Sequence, residues 1–140
     1  GNIFNRMDDT TQTFSSIVTQ NSLFAGGSAS DSPDVAGELT SKGYNLLQDT
    51  SGTVFLDPDH QHATDLDGKQ FPDLKINPKL QLNEGTTSTH ALLPGSPAMN
   101  VIPVTDCQSN VNGITITTDQ RGIKRPQEAA CDIGAYEYRP

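Results

Sequence analysis

Tryptophan is absent from this chain of 140 residues, and the other large rings are scarce: five Phe and three Tyr. Few rings remain for stacking on sugars or bases once a core is filled. Basic residues are also short, with nine Lys and Arg against 17 Asp and Glu, a formal net charge of −8. Such a surface repels phosphate backbones, which argues against a nucleic-acid partner. It disfavours anionic membrane surfaces as well. No apolar run approaches the length of a bilayer span, so direct membrane insertion is not expected. No CxxC is present, which excludes a metal knuckle or thioredoxin-like motif. The opening "GNIFNRMDDT" has neither a basic n-region nor an apolar h-region. It also lacks an initiator Met, and no sortase-like or hydrophobic tail follows "YEYRP". The expectation is an excised piece of a longer precursor, with the upstream part of the same polypeptide as one partner.

What is present points to strands and turns. Apolar residues make up 33%, with 12 Gly and nine Pro, and Ser, Thr, Asn and Asp recur throughout. The last four compete locally with the helical backbone. Short strands punctuated by turns suit this mixture, giving an all-β expectation. The length fits a single domain over 1–140, with three textures inside it. Residues 1–56 hold short β-type runs. "FSSIVTQNSLFAGG" places Phe14, Ile17, Val18, Leu23 and Phe24 among polar residues and glycines. "DVAGELTSKGYNLL" offers Val35, Leu39, Tyr44, Leu46 and Leu47 for burial, with Gly37 and Gly43 at bends. "SIVTQN" and "SLFAGG" are weakly self-similar, and "NIFNR" is a fainter third copy. Short strands with Asn and Gly at corners are what a solenoid needs, since coils stack equivalent apolar side chains and corner amides.

Residues 57–85 form a polar, turn-rich insert in which Pro58, Pro72 and Pro78 prevent a long helix. "LKINPKLQL" reads as a short strand interrupted at Asn77–Pro78. Residues 86–140 read as a last coil and cap. "GITITT" alternates cleanly, and "HALL" or "SPAMNV" permits a one-turn helix capped by Ser96.

The series "DVAGELTSKGYNLL", "THALLPGSPAMN", "TTDQRGIKRPQ" and "CDIGAYEY" resembles the C-terminal end of bacterial choice-of-anchor Q domain proteins, across residues 12–138. These are large surface or secreted proteins, like polymorphic outer-membrane proteins. The resemblance implies a right-handed parallel β-helix, of which this chain holds a few terminal coils. It also implies an extracellular or cell-surface location and attachment through interchangeable anchors. It implies no established activity. "DPDHQHATDLDGKQFPD" departs from the family pattern in being longer and more acidic.

Four groups of residues invite a chemical role. Cys107 and Cys131 suggest one disulfide in a secreted chain or two buried thiols in the cytosol. The disulfide is the favoured reading, and its loop closure is worth about 3 kcal/mol. Between Thr117 and Tyr138 the charges Asp119, Arg121, Arg125, Asp132 and Glu137 surround Cys131. They could serve as acid, base and anion clamp. The preferred reading is structural closure: the charges pair with one another and with backbone groups at the end of a coil. Gly122 and Gly134 then make bends, while Ile133, Ala135 and Tyr136 supply apolar contact.

The third group is Asp57, Asp59, Asp65 and Asp67, with His60 and His62 between them. Several oxygens on one loop suit Ca²⁺, but the spacing is not an EF-hand and a solvated loop is preferred. The fourth is a hydrolytic site. No G-x-S-x-G occurs, and His90 and Ser96 read as structural. Glycan-cleaving chemistry would need paired carboxylates or a calcium-assisted base. Asp8, Asp9, Asp31, Asp34 and Glu38 fall mostly in loops instead. The expected role is therefore a non-catalytic structural or adhesive segment that presents loops to a surface glycan or another surface protein. The alternatives are a fragment of a polysaccharide lyase or glycosidase, or a calcium-binding glycan-recognition module.

Overall fold

The computed structural model describes residues 3–4, 7–8, 13–14, 17–31, 34–56, 63–107 and 116–140, with backbone alone at 4, 7–8 and 13–14. They are mostly strands and turns with little helix, an all-β class. The chain divides into two compact units, Gly1–Pro72 and Asp73–Pro140. The division falls inside the polar segment 57–85.

Among its described residues the first unit holds nine short strands: β1 Ile3–Phe4, β2 Met7–Asp8, β3 Thr13–Phe14, β4 Val18–Thr19, β5 Leu23–Phe24, β6 Val35–Ser41, β7 Leu46–Leu47, β8 Thr53–Phe55 and β9 Leu66–Asp67. Only β2 and β3 pair antiparallel among these elements. The rest pair in parallel. Strand β6 takes β1 and β4 along different parts of its length and also pairs with β8. A second sheet runs β5–β7–β9, aligning Leu23 with Leu46 with Leu66. Parallel neighbours require a crossover, so each strand stacks on a segment far away in sequence.

This pairing corrects the repeat suggested by "SIVTQN" and "SLFAGG". The two runs hold β4 and β5, which do not pair with each other: Val18 sits beside Thr40 and Leu23 beside Leu46. The two strands flank one corner, so their likeness is that of two sides of a bend. The matching corner is Lys42–Asn45, and Asn21 and Tyr44 adopt the same left-handed conformation there, each with φ 53°. Of the candidate bends, Gly37 and Gly43 both have φ 99°. Val35, Leu39 and Leu47 form the buried core, with Ile3, Ile17, Phe24 and Phe55 packed against it. Each fully buried aliphatic side chain contributes about 2 kcal/mol. Tyr44, expected in that core, is only half-buried, because the corner holds it.

One polar side chain joins this stack. Asn45 is fully buried. Its Oδ1 accepts from Thr19 Oγ1 at 3.0 Å and from Ser22 N at 3.1 Å. Its Nδ2 donates to Thr19 O, to Ser41 Oγ and to Asp65 Oδ1. Its own backbone N–H donates to Asp65 Oδ1 at 2.9 Å. Three successive corners thus meet at one amide.

The chain turns out of the first unit through a short 3₁₀ turn, Gly68–Gln70, capped by the Asp67 side chain on Lys69 N. Gly68 is required there: an added Cβ would lie 2.4 Å from Gln48 Cα.

The second unit has little regular structure among its described residues. Isolated antiparallel bridges join Ile76 to Leu92, Gln81 to Thr89, Ile102 to Cys131 and Thr118 to Lys124. The interruption at Pro78 reduces "LKINPKLQL" to two of these bridges. The first half of "GITITT", 113–115, lies outside the described residues. No helix forms at "HALL" or "SPAMNV"; Ser96 instead donates to Leu74 O and accepts from Ala98 N, holding a turn. The helical turn comes later, as α1 Val104–Cys107, where Asp106 and Cys107 N–H groups both donate to Pro103 O. Leu74, Leu92, Ala98, Ile102 and Ile133 are buried in this unit.

Cys107 and Cys131 form a disulfide, with Cα atoms 5.8 Å apart, an ordinary span. It ties α1 to the 102–131 bridge, and both cysteines are buried. A disulfide suits a non-reducing compartment. No helix among the described residues is long and apolar enough to cross a membrane.

Replacing Asn45 with Ala leaves Thr19 Oγ1 and Ser22 N without their amide partner in a buried corner, while Asp65 keeps only the backbone N–H of residue 45. Thermal or urea unfolding should show a loss of about 3 kcal/mol. Gly68→Ala should cost about as much through backbone overlap, with the native fold's circular dichroism retained below the lowered melting point.

Candidate functional site

The charge cluster foreseen between Thr117 and Tyr138 is assembled, and all five side chains are engaged. A turn starts it: Gly122 N donates to Asp119 O and Asp119 N to Ile123 O. Gly122 has φ 86° and Gly134 has φ 95°, so both expected bends need left-handed backbone.

Asp119 is the inner anchor. Its Oδ1 accepts from Arg121 N at 2.8 Å and Ile123 N at 3.0 Å. Its Oδ2 accepts from Arg121 Nε at 2.8 Å and from Glu137 N at 2.9 Å. Arg121 Nη2 also lies 2.7 Å from Oδ2. Burial opposes the charged carboxylate, but hydrogen bonds from Glu137 N, the Arg121 side chain, Ile123 N and Arg121 N outweigh it. Asp119 is held below the ordinary carboxylate value of 3.8. Arg121 spends its remaining donors on Asn83 O and Glu137 O and lies 3.6 Å over the Tyr136 ring.

Arg125 organises the second half. Its Nη1 donates to Asp132 O at 2.9 Å and its Nη2 to Gly134 O at 2.5 Å. Its Nε lies 3.6 Å from Glu137 Oε2. Glu137 accepts from Gln127 N and Asp132 N, each at 3.1 Å. Asp132 accepts from Asn100 N at 2.8 Å and Tyr138 N at 2.6 Å. Burial is the largest influence on both carboxyls and pushes them above their ordinary values. The Asp132 charge raises Glu137 further, and Glu128 raises Asp132. Hydrogen bonds and Arg125 offset only part of this.

Each carboxylate therefore binds backbone N–H groups, and Arg121 and Arg125 bind backbone carbonyls. Such a network fixes chain segments to one another. Ile133 is buried and Tyr136 half-buried, as expected of apolar contacts; Ala135 is exposed, its carbonyl accepting from Gln120 N. His90, at the surface, has Nδ1 2.8 Å from Asn77 O.

The acidic loop gives a different outcome. Asp57, Asp59, His60 and His62 lie outside the described residues. Asp65 serves the Asn45 corner, and Asp67 caps the 3₁₀ turn. Among the described residues no group of three or more His, Cys, Asp or Glu is placed to hold a metal.

Two features carried no sequence signal that singled them out. Asn45 is one of many corner-type asparagines, and only the stacking of three corners makes it a hub. Glu84 and Arg139 form an ion pair across a long stretch of sequence. Comparison with protein-family models, curated proteins and solved structures yields no match.

The pH dependence of stability follows from these shifts. Asp132 and Glu137, with raised folded values, stabilise fully below their ordinary 3.8 and 4.5 and lose that contribution as pH rises through the raised values. Asp119 contributes above 3.8 and loses its contribution as pH falls through its lowered value. Asp119→Asn should cost about 3 kcal/mol near neutrality by stranding buried Arg121. Its unfolding free energy should then fall less steeply than wild type below pH 3.8, as read by urea melts across a pH series.

Proposed function

We propose that this chain is a non-catalytic structural or adhesive segment of an extracellular or cell-surface protein, related to the choice-of-anchor Q domain proteins that it resembles. In this reading Gly1–Pro72 supplies coils of a right-handed parallel β-helix and Asp73–Pro140 is its disulfide-stapled cap. The coil reading is supported by the parallel register Leu23–Leu46–Leu66, a spacing of about twenty residues typical of solenoids. The shared left-handed geometry of Asn21 and Tyr44 supports it too. The buried disulfide supports the location, since such bridges persist outside reducing compartments.

The observation that carries the structural role is the state of the charge network. Asp119, Arg121, Arg125, Asp132 and Glu137 are all turned onto backbone groups of their own unit. A carboxylate already holding two backbone N–H groups is poorly placed to hand a proton to a substrate, and a buried Arg holding carbonyls is poorly placed to clamp one. Their chemistry is spent on holding strand-poor chain together. What is left for a partner, a surface glycan or another surface protein, is the loops.

Incubation with acidic polysaccharides should release no new reducing or unsaturated ends, and cleavage abolished by Glu137→Gln would sink the proposal. Methyl NMR of the intact chain should show contacts between Leu23 and Leu46 and between Leu46 and Leu66. Their absence would remove the coils.

A further inference from the structure

An open pocket of about 400 Å³ lies within the second unit, lined by Asn83, Glu84, Arg121, Tyr136, Arg139 and Pro140. That volume falls in the range of small-molecule sites. Its wall is built at some cost. Gly85 N donates to Leu82 O at 2.7 Å, closing a turn whose central residues Asn83 and Glu84 have φ 47° and 70°. Positive φ at both central positions marks a type I′ turn, where Asn suits the first and Gly the second. Glu at the second is strained by about 1 kcal/mol. Strain of this kind collects where a side chain is needed for something other than folding. Here it puts a carboxylate on the pocket, in an ion pair with Arg139.

The turn is also seated closely. A Cβ on Gly85 would meet Arg121 Cγ at 2.8 Å and its Cα at 3.1 Å. Arg121 is pinned by Asp119, covers one side of the Tyr136 ring, and donates to Asn83 O. The floor is thus rigid and its charge is neutralised. The groups left at the surface are the Glu84 carboxylate, the Arg139 guanidinium and what remains of Tyr136.

We propose that this pocket binds a neutral sugar residue, with vicinal hydroxyls bridging Glu84 and Arg139 and the C–H face against Tyr136. This deepens the binding role given to the loops and rests on it. The acceptor carboxylate and donor guanidinium, side by side, match the paired donor and acceptor of adjacent hydroxyls. An anionic ligand would have to displace Glu84 from Arg139, and a purely apolar one would strand both charges.

The test uses the intact ¹⁵N-labelled chain, titrated with methyl α-glucopyranoside, methyl β-galactopyranoside, methyl α-mannopyranoside and, separately, methyl β-glucuronide. A neutral glycoside should shift amides at 83–85, 121, 136 and 139, and the glucuronide should shift them less. Glu84→Asn relieves the turn, so it should melt no lower than wild type while weakening binding about tenfold, the loss of one charged hydrogen-bonding group. Arg139→Gln should weaken it similarly. Silence with every neutral glycoside, a response to the glucuronide alone, shifts confined to other residues, or undiminished binding by Glu84→Asn would each overturn the proposal. Those results leave the non-catalytic role standing, whereas release of methanol from a glycoside would overturn that role.

Discussion

Strands two residues long hold together only if something besides their own ladder fixes the corner between them, and in residues 17–67 that is the Asn45 amide. Isolated pairs of this length are unstable in water. Asn45 satisfies both ends of its amide at once and does so across three corners. Because it is dry, each of those bonds is worth more than on a surface, and each vacancy would cost more. The register of β5, β7 and β9 follows from it: one amide can meet Thr19, Ser41 and Asp65 only when Leu23, Leu46 and Leu66 are level. The aliphatic core beneath supplies the energy, and the corner supplies the alignment.

The second unit solves the same problem with charge. Its described residues have isolated bridges where the first has strands, so many backbone groups need partners from side chains. Arg121 and Arg125 cover carbonyls at 83, 132, 134 and 137, while Asp119, Asp132 and Glu137 cover amides from 100 to 138. Guanidinium and carboxylate suit this work because each serves several groups at fixed angles. The arrangement carries its own tension, since Asp132 and Glu137 are buried near each other with Arg125 as their shared cation. The Cys107–Cys131 bridge pins the same region covalently, so the network need not hold the chain against loop entropy alone.

This division of labour bears on function. Charges committed to backbone leave a surface whose chemistry lies in loops and turns. Glu84, like Lys75, is a charged side chain at a left-handed position where glycine is favoured, and Glu84 stands on the pocket. Structural necessity explains Asp119; it does not explain Glu84.

Much of this was legible in the chain. Abundant Gly, Pro, Ser, Thr, Asn and Asp with few long apolar runs dictated short strands, since such residues neither sustain helices nor permit long ladders. Cysteine number left one bridge to form, and the five charges crowded around Cys131 in sequence lie together in the fold as one hydrogen-bonded network. The pairing was not legible. Parallel neighbours are separated by crossovers, so the local likeness of "SIVTQN" and "SLFAGG" pointed to the wrong partners. Nor could composition choose Asn45 among the asparagines, or join Glu84 to Arg139. Those choices depend on which distant segments come level, and that was decided only when the chain was packed.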